Sequence, residues 1–219
     1  MRDHLMPCCS DDTCSSSAAA SGGYRAVLWI VLAINAVMFL VEIIAGLAAG
    51  SAALQADALD FFADAANYGI SLFVLGLGIR WRASAALVKG ASMGLFGLWV
   101  IGSVIWHAVH GTVPGWGTMG VVGAVALAAN AACLGLLYAW RDGDANMRSV
   151  WICSRNDVIA NLAVLAAALG VFGTGTGWPD LIVATIMAVL AIQGAATVTR
   201  QALSELRDHS SPDPAPLLR

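Results

Sequence analysis

The sequence predicts an all-helical membrane protein: a bundle of six transmembrane helices with both termini on the cytoplasmic side. Three observations carry this. Of the 219 residues, 59% are hydrophobic and only 11% charged, whereas soluble domains hold about 25% charged residues. Six mostly apolar runs are each long enough to cross the hydrocarbon core, which takes about 20 residues in a helix. The eleven Lys and Arg residues all fall in alternate connections, at helix ends facing them, or in the terminal tails. The other three connections carry none, which by the positive-inside rule puts both termini in the cytoplasm and requires an even number of spans.

Taken in order, the runs cover residues 26–49, 52–79, 87–110, 117–140, 148–172 and 178–200. Gly50-Ser51, Arg80-Trp81-Arg82 and the stretches 111–116, 141–146 and 173–177 separate them, mostly with the turn chemistry of short helix–helix connections. Trp81, Trp106, Trp116, Trp140, Trp151 and Trp178 sit near run ends, where indoles favour the membrane interface. Gly46-x-x-x-Gly50 is a small-residue packing motif. Residues 1–24 are expected to form a disordered, Cys-containing cytoplasmic tail without a signal peptide's apolar stretch. Residues 25–204 would be the transmembrane domain and 205–219 a short cytoplasmic tail, too small to fold alone. The net charge of −3 and the lack of a basic stripe argue against a nucleic-acid partner. Three of the five cysteines lie in the polar tail and two in apolar runs, so thiol or metal chemistry fits better than a disulfide framework.

Chemistry is expected where charge enters lipid. A charge at mid-membrane costs about 2.5–3.5 kcal/mol on insertion scales, yet Glu42, Asp57, Asp60, Asp64 and Asp157 lie within the runs. Asp180, at an outer helix end, is less informative. Asp57, Asp60 and Asp64 recur at spacings of three and four, which stacks them on one helix face. Three such carboxylates ionise together only around a cation. Cys153 and Asp157 form a second pair four apart. Two helices each offering an i, i+4 pair can close four donors around one ion, the number a tetrahedral zinc-like site needs. Asp64-Ala-Ala-Asn67 and Asp157-Val-Ile-Ala-Asn161 suggest a weak repeat three helices apart, hence an inverted three-helix pseudo-repeat.

At these residues the chain resembles the cation diffusion facilitator family. The resemblance rests on Asn35-x-x-x-Phe39-x-x-Glu42-x-x-x-Gly46, on Gly50-Ser51 through Asp57, Asp60 and Asp64, on Asn146-Met147-Arg148, on Cys153-x-x-x-Asp157-x-x-x-Asn161, and on Trp178-x-Asp180. It implies a transporter rather than an enzyme, with no resident cofactor, exporting a divalent cation (zinc or cadmium first) in exchange for protons. The implied metal ligands are Asp60, Asp64, Cys153 and Asp157. Cys153 stands where the family usually has histidine, and a thiolate favours soft cations such as zinc, cadmium, lead or copper(I). The plainer reading of Cys153 is a small apolar filler.

Accessory roles fall to Asp57, as an exit guide or a hydrogen-bonding partner, to Glu42, as a gating or structural group, and to Asn161, as a support for the ligands. Cys8, Cys9 and Cys14 could capture a soft cation for the pore, or be incidental to a disordered tail. The partners implied are lipid, the divalent cation and protons, in a bacterial inner membrane. A homodimer is left open, without the C-terminal cytoplasmic domain that supports one in the family. Two competing readings remain: a membrane enzyme, for which the connections are too short and bare, and a metal sensor or subunit that binds without transport. Asp60 and Cys153 meet only if the fifth helix begins near Ala145, and Arg155 would then need an aqueous niche or snorkel inward.

Overall fold

The computed structural model describes residues 22–73, 79–140 and 145–208. Its elements are α1 (Gly22–Ala49), α2 (Ala52–Phe73), α3 (Ile79–His110), α4 (Trp116–Leu137) with a 3-10 turn at Tyr138–Trp140, α5 (Ala145–Thr174) and α6 (Trp178–Asp208). No strand occurs among the described residues. Five helices contain stretches long and apolar enough to cross a membrane: Gly23–Ala49, Ala83–His110, Trp116–Leu137, Ser154–Thr174 and Trp178–Arg207. At 22 residues α2 is about 33 Å long, enough to span, but it carries the three aspartates and is not among these five.

Helix boundaries differ from the sequence reading at several helix ends. Arg80, Trp81 and Arg82 lie in the first turn of α3 rather than in a connection. Charge is not a helix breaker, since Arg is a good helix former and Trp a tolerable one. α1 begins at Gly22, inside the stretch expected to be a disordered tail, because Tyr24 packs into the core; α5 begins at Ala145 rather than 148, and α6 runs on to Asp208.

The connections at 50–51, 111–115 and 175–177 share one design. α1, α3 and α5 each end at a left-handed glycine, Gly50 (φ 63°), Gly111 (φ 62°) and Gly175 (φ 64°), a backbone state that costs a residue with a Cβ but not glycine. Gly115 N–H donates to Ala49 O at 3.0 Å and ties two of these connections together.

α2 is the centre of the bundle, packing on α1, α3, α5 and α6, while α3 packs on α6 and α4 on α5 and α1. Residues 52–59 of α2 are all buried. An apolar cluster of Ala52, Ala53, Leu54, Val164, Ala167, Val171, Leu181 and Ala184 fills the bundle near the glycine-ended connections. A second, of Tyr24, Leu28, Val31, Tyr68, Cys133 and Leu137, fills it nearer the opposite end. The outer surface is apolar, with Val37, Leu40, Ile44, Leu95, Leu98, Val121, Leu169, Phe172 and Ile186 all exposed. Asn35, Glu42, Gln55, Asp57, Asp64, Asn130, Asp157 and Asn161 are buried. Polar inside and apolar outside is the pattern of a protein solvated by lipid. Trp81, Trp106, Trp116 and Trp178 are exposed near helix ends, as interfacial indoles would be.

Candidate functional site

Between the two apolar clusters the bundle holds buried polar groups in three layers. Helical spacing makes the layers: residues three, four and seven apart on α2 stack along one side, and the antiparallel α5 presents its own series opposite.

The first layer joins four helices. Asn161 Nδ2 of α5 donates to both oxygens of Asp57, each at 2.8 Å, and Asn130 Nδ2 of α4 donates to Asn161 Oδ1 at 3.0 Å. A carboxylate only accepts, so this network fixes which end of the Asn161 amide faces α2. Glu42 of α1 faces the same Asp57 carboxyl. It is fully buried, and neither of its oxygens has a donor.

One turn further along, Asp157 of α5 lies within hydrogen-bonding reach of both Asp60 and Asp64 of α2. Asp64 is 7% and Asp157 8% exposed, and Asp157 Oδ2 has no donor. Tyr68 Oη donates to Asp64 Oδ2 at 3.2 Å and sits 3.5 Å from Ser154 Oγ, forming the third layer. Cys133 also lies here, with Asn35 Nδ2 3.7 Å from its sulfur.

The structure therefore brings Asp60, Asp64 and Asp157 together and groups Glu42, Asp57 and Asn161 separately beside them. Cys153 stands on α5 one turn before Asp157, but its side chain is outside the described residues, as are Cys8, Cys9 and Cys14. Among the described residues, no three His, Cys, Asp or Glu side chains already form a metal-holding group. Arg155, the awkward charge on α5, is exposed on the outside of the bundle, where a long side chain can snorkel.

Sequence reasoning placed two charged groups at helix ends and gave them no role inside the bundle. Lys89 of α3 is 5% exposed and donates to Asn67 Oδ1 of α2. It lies ten residues into the helix, because α3 starts at Ile79. Asp180, at 1% exposure, reaches from the first turn of α6 to cap α2. It accepts from Ser51 Oγ at 2.6 Å, Ala52 N at 2.8 Å and Ala53 N at 3.1 Å. An acid at a helix N-terminus satisfies orphan amides and suits the helix dipole. The hint lay in Gly50-Ser51, a turn followed by a capping residue, but nothing local identifies a cap 129 positions away.

Buried carboxylates in a low-dielectric core cannot all remain ionised without positive charge, which a metal ion or protons must supply. Fold and polar interior together define a multi-pass cell-membrane protein with an acidic core. The profile of the cation efflux transmembrane domain matches residues 28–207, and the chain belongs to that family, the cation diffusion facilitators. Its relatives include the zinc transporter ZitB of Yersinia pestis, 25% identical over 196 residues, covering 82% of this chain and 62% of that protein. The cadmium, cobalt and zinc/H(+)-K(+) antiporter of Bacillus subtilis (strain 168) is 23% identical over 209 residues, 85% of this chain and 65% of its own length. The chain thus spans less than two thirds of the curated relatives it matches.

Proposed function

We propose that this protein is a secondary transporter exporting a divalent transition- or heavy-metal cation, zinc or cadmium, from the cytoplasm in exchange for protons. The observation that carries the reading is the meeting of α5 and α2 at Asp157, Asp60 and Asp64. Cys153, one turn from Asp157 on α5, would supply the fourth donor, matching zinc's preference for four N, S or O ligands. The names of the relatives, a zinc transporter and a cadmium, cobalt and zinc/H(+)-K(+) antiporter, support the same cargo and counter-ion.

The transport domain in this reading is the six-helix bundle, wider than the expected 25–204 by the first turn of α1 from Gly22 and the last turn of α6 to Asp208. All six helices cross the bilayer in this reading, with α2 shielded from lipid by its neighbours and both termini in the cytoplasm. Free carboxylates recruit protons when the cation leaves, and the cation displaces them when it binds, which gives exchange.

Proteoliposomes containing the protein and an internal pH dye test this. Zinc or cadmium flux should be accompanied by opposite proton movement, and Asp64→Asn and Asp157→Asn should each abolish both. Cys153→Ser should weaken cadmium transport more than zinc transport, because sulfur favours the softer ion. Metal binding without flux would identify a sensor instead.

A further inference from the structure

Glu42 and Asp57 lie outside the four-donor set, and their geometry makes a separate demand. Glu42 is 0% exposed with both oxygens lacking a donor. Its electrostatic neighbours are two more acids, Asp57 and Asp60 of α2. α1 packs on α2 and α4. α4 brings only the neutral Asn130 to this layer, and α5 the neutral Asn161. Among the described residues no Lys, Arg or His pairs with either acid.

Two facing carboxyls without a cation repel and cannot hydrogen-bond to each other unless one carries a proton. The surroundings select a proton over a metal ion. Asn161 directs its N–H groups, not its oxygen, at Asp57, and its oxygen is taken by Asn130. Donors aimed at the site oppose a bound cation but stabilise Asp57 as an anionic acceptor. That leaves Glu42 as the member that carries hydrogen.

We propose that Glu42 and Asp57 share one proton, carried on Glu42 and donated to Asp57, forming a proton-binding site separate from the metal carboxylates. Asp60 links the two sites, since its charge acts on Glu42 and it lies within hydrogen-bonding reach of Asp157. A divalent cation at Asp60 expels the proton one helical turn away, and its departure draws the proton back. This coupling rests on the proposed transport function; the shared proton does not.

Infrared spectroscopy of the full chain in lipid nanodiscs, metal-free at neutral pH, tests the pair directly. The wild type should show protonated-carboxyl bands that shift in D2O, some of them from the metal carboxyls Asp60, Asp64 and Asp157. Glu42→Gln should remove one component while the others remain, and Asp57→Asn should shift that same component by changing its acceptor. A spectrum in which neither variant removes or shifts any component overturns the proposal. Titration calorimetry with zinc in buffers of different ionisation enthalpy tests the coupling. Glu42→Gln should release one proton fewer per ion than wild type while still binding zinc. An equal proton count, or loss of zinc binding on this substitution, overturns the coupling. A wild type that shows the Glu42 band yet binds no zinc upholds the proton pair and overturns the transport function.

Discussion

Asp180 and Lys89 show how a charge is made tolerable inside this bundle. Asp180 serves three donors at the start of α2, so Asp180→Ala leaves a hydroxyl and two amides without their acceptor. Hydrogen bonds to a charged group contribute about 1.5–3 kcal/mol each way of counting, and a loss of that order should lower the detergent-phase melting temperature by circular dichroism. Asp180→Asn, which keeps an acceptor, should lose less. Lys89 and Asn67 behave as a pair. Asn67→Leu strands a buried ammonium, whereas the Asn67→Leu/Lys89→Met double variant removes both partners. The double variant should be the more stable of the two by thermal unfolding, because an unpaired buried charge costs more than an apolar replacement of the pair.

Among the elements, α1 and α2 must approach closely for Glu42 to face Asp57. Gly46 permits it: a Cβ there would stand 3.1 Å from Gln55 Cγ and backbone N, and 3.2 Å from Leu54 Cβ. Gly46→Leu should therefore force the helices apart, with overpacking costing about 1–3 kcal/mol. Its signature is a loss of the Glu42 infrared band together with lowered thermal stability. The motif Gly46-x-x-x-Gly50 thus divides its labour, the first glycine for contact and the second for the left-handed turn.

On the scale of the whole molecule, orientation and pH dependence are the open physical tests. With the native cysteines of the tail replaced by serine, a cysteine at Thr176 should label with an impermeant maleimide in intact cells. One placed at Ser15 should label only after permeabilisation. Zinc affinity should rise with pH, since donors bind metal only when deprotonated and protons compete at low pH. Flat affinity between mildly acidic and mildly alkaline pH, measured with a competing fluorescent chelator, would remove proton exchange from the scheme.

Composition and the spacing of Asp57, Asp60, Asp64 and Asp157 were sufficient to read a helical membrane protein with an acidic interior, while the family came from the resemblance of its motifs on the first, second, fifth and sixth helices. These features repeat locally along the chain, every three or four residues or every twenty, so a linear reading finds them. Only tertiary structure set Glu42 against Asp57, a pairing that neither spacing nor the resemblance had made, because helix register and rotation fix that approach. It also turned Asp180 from a peripheral acid into the cap of a distant helix and sank Lys89 into the core. A side chain's partner in a bundle lies across an interface, tens of residues away in sequence, and no local pattern encodes that choice.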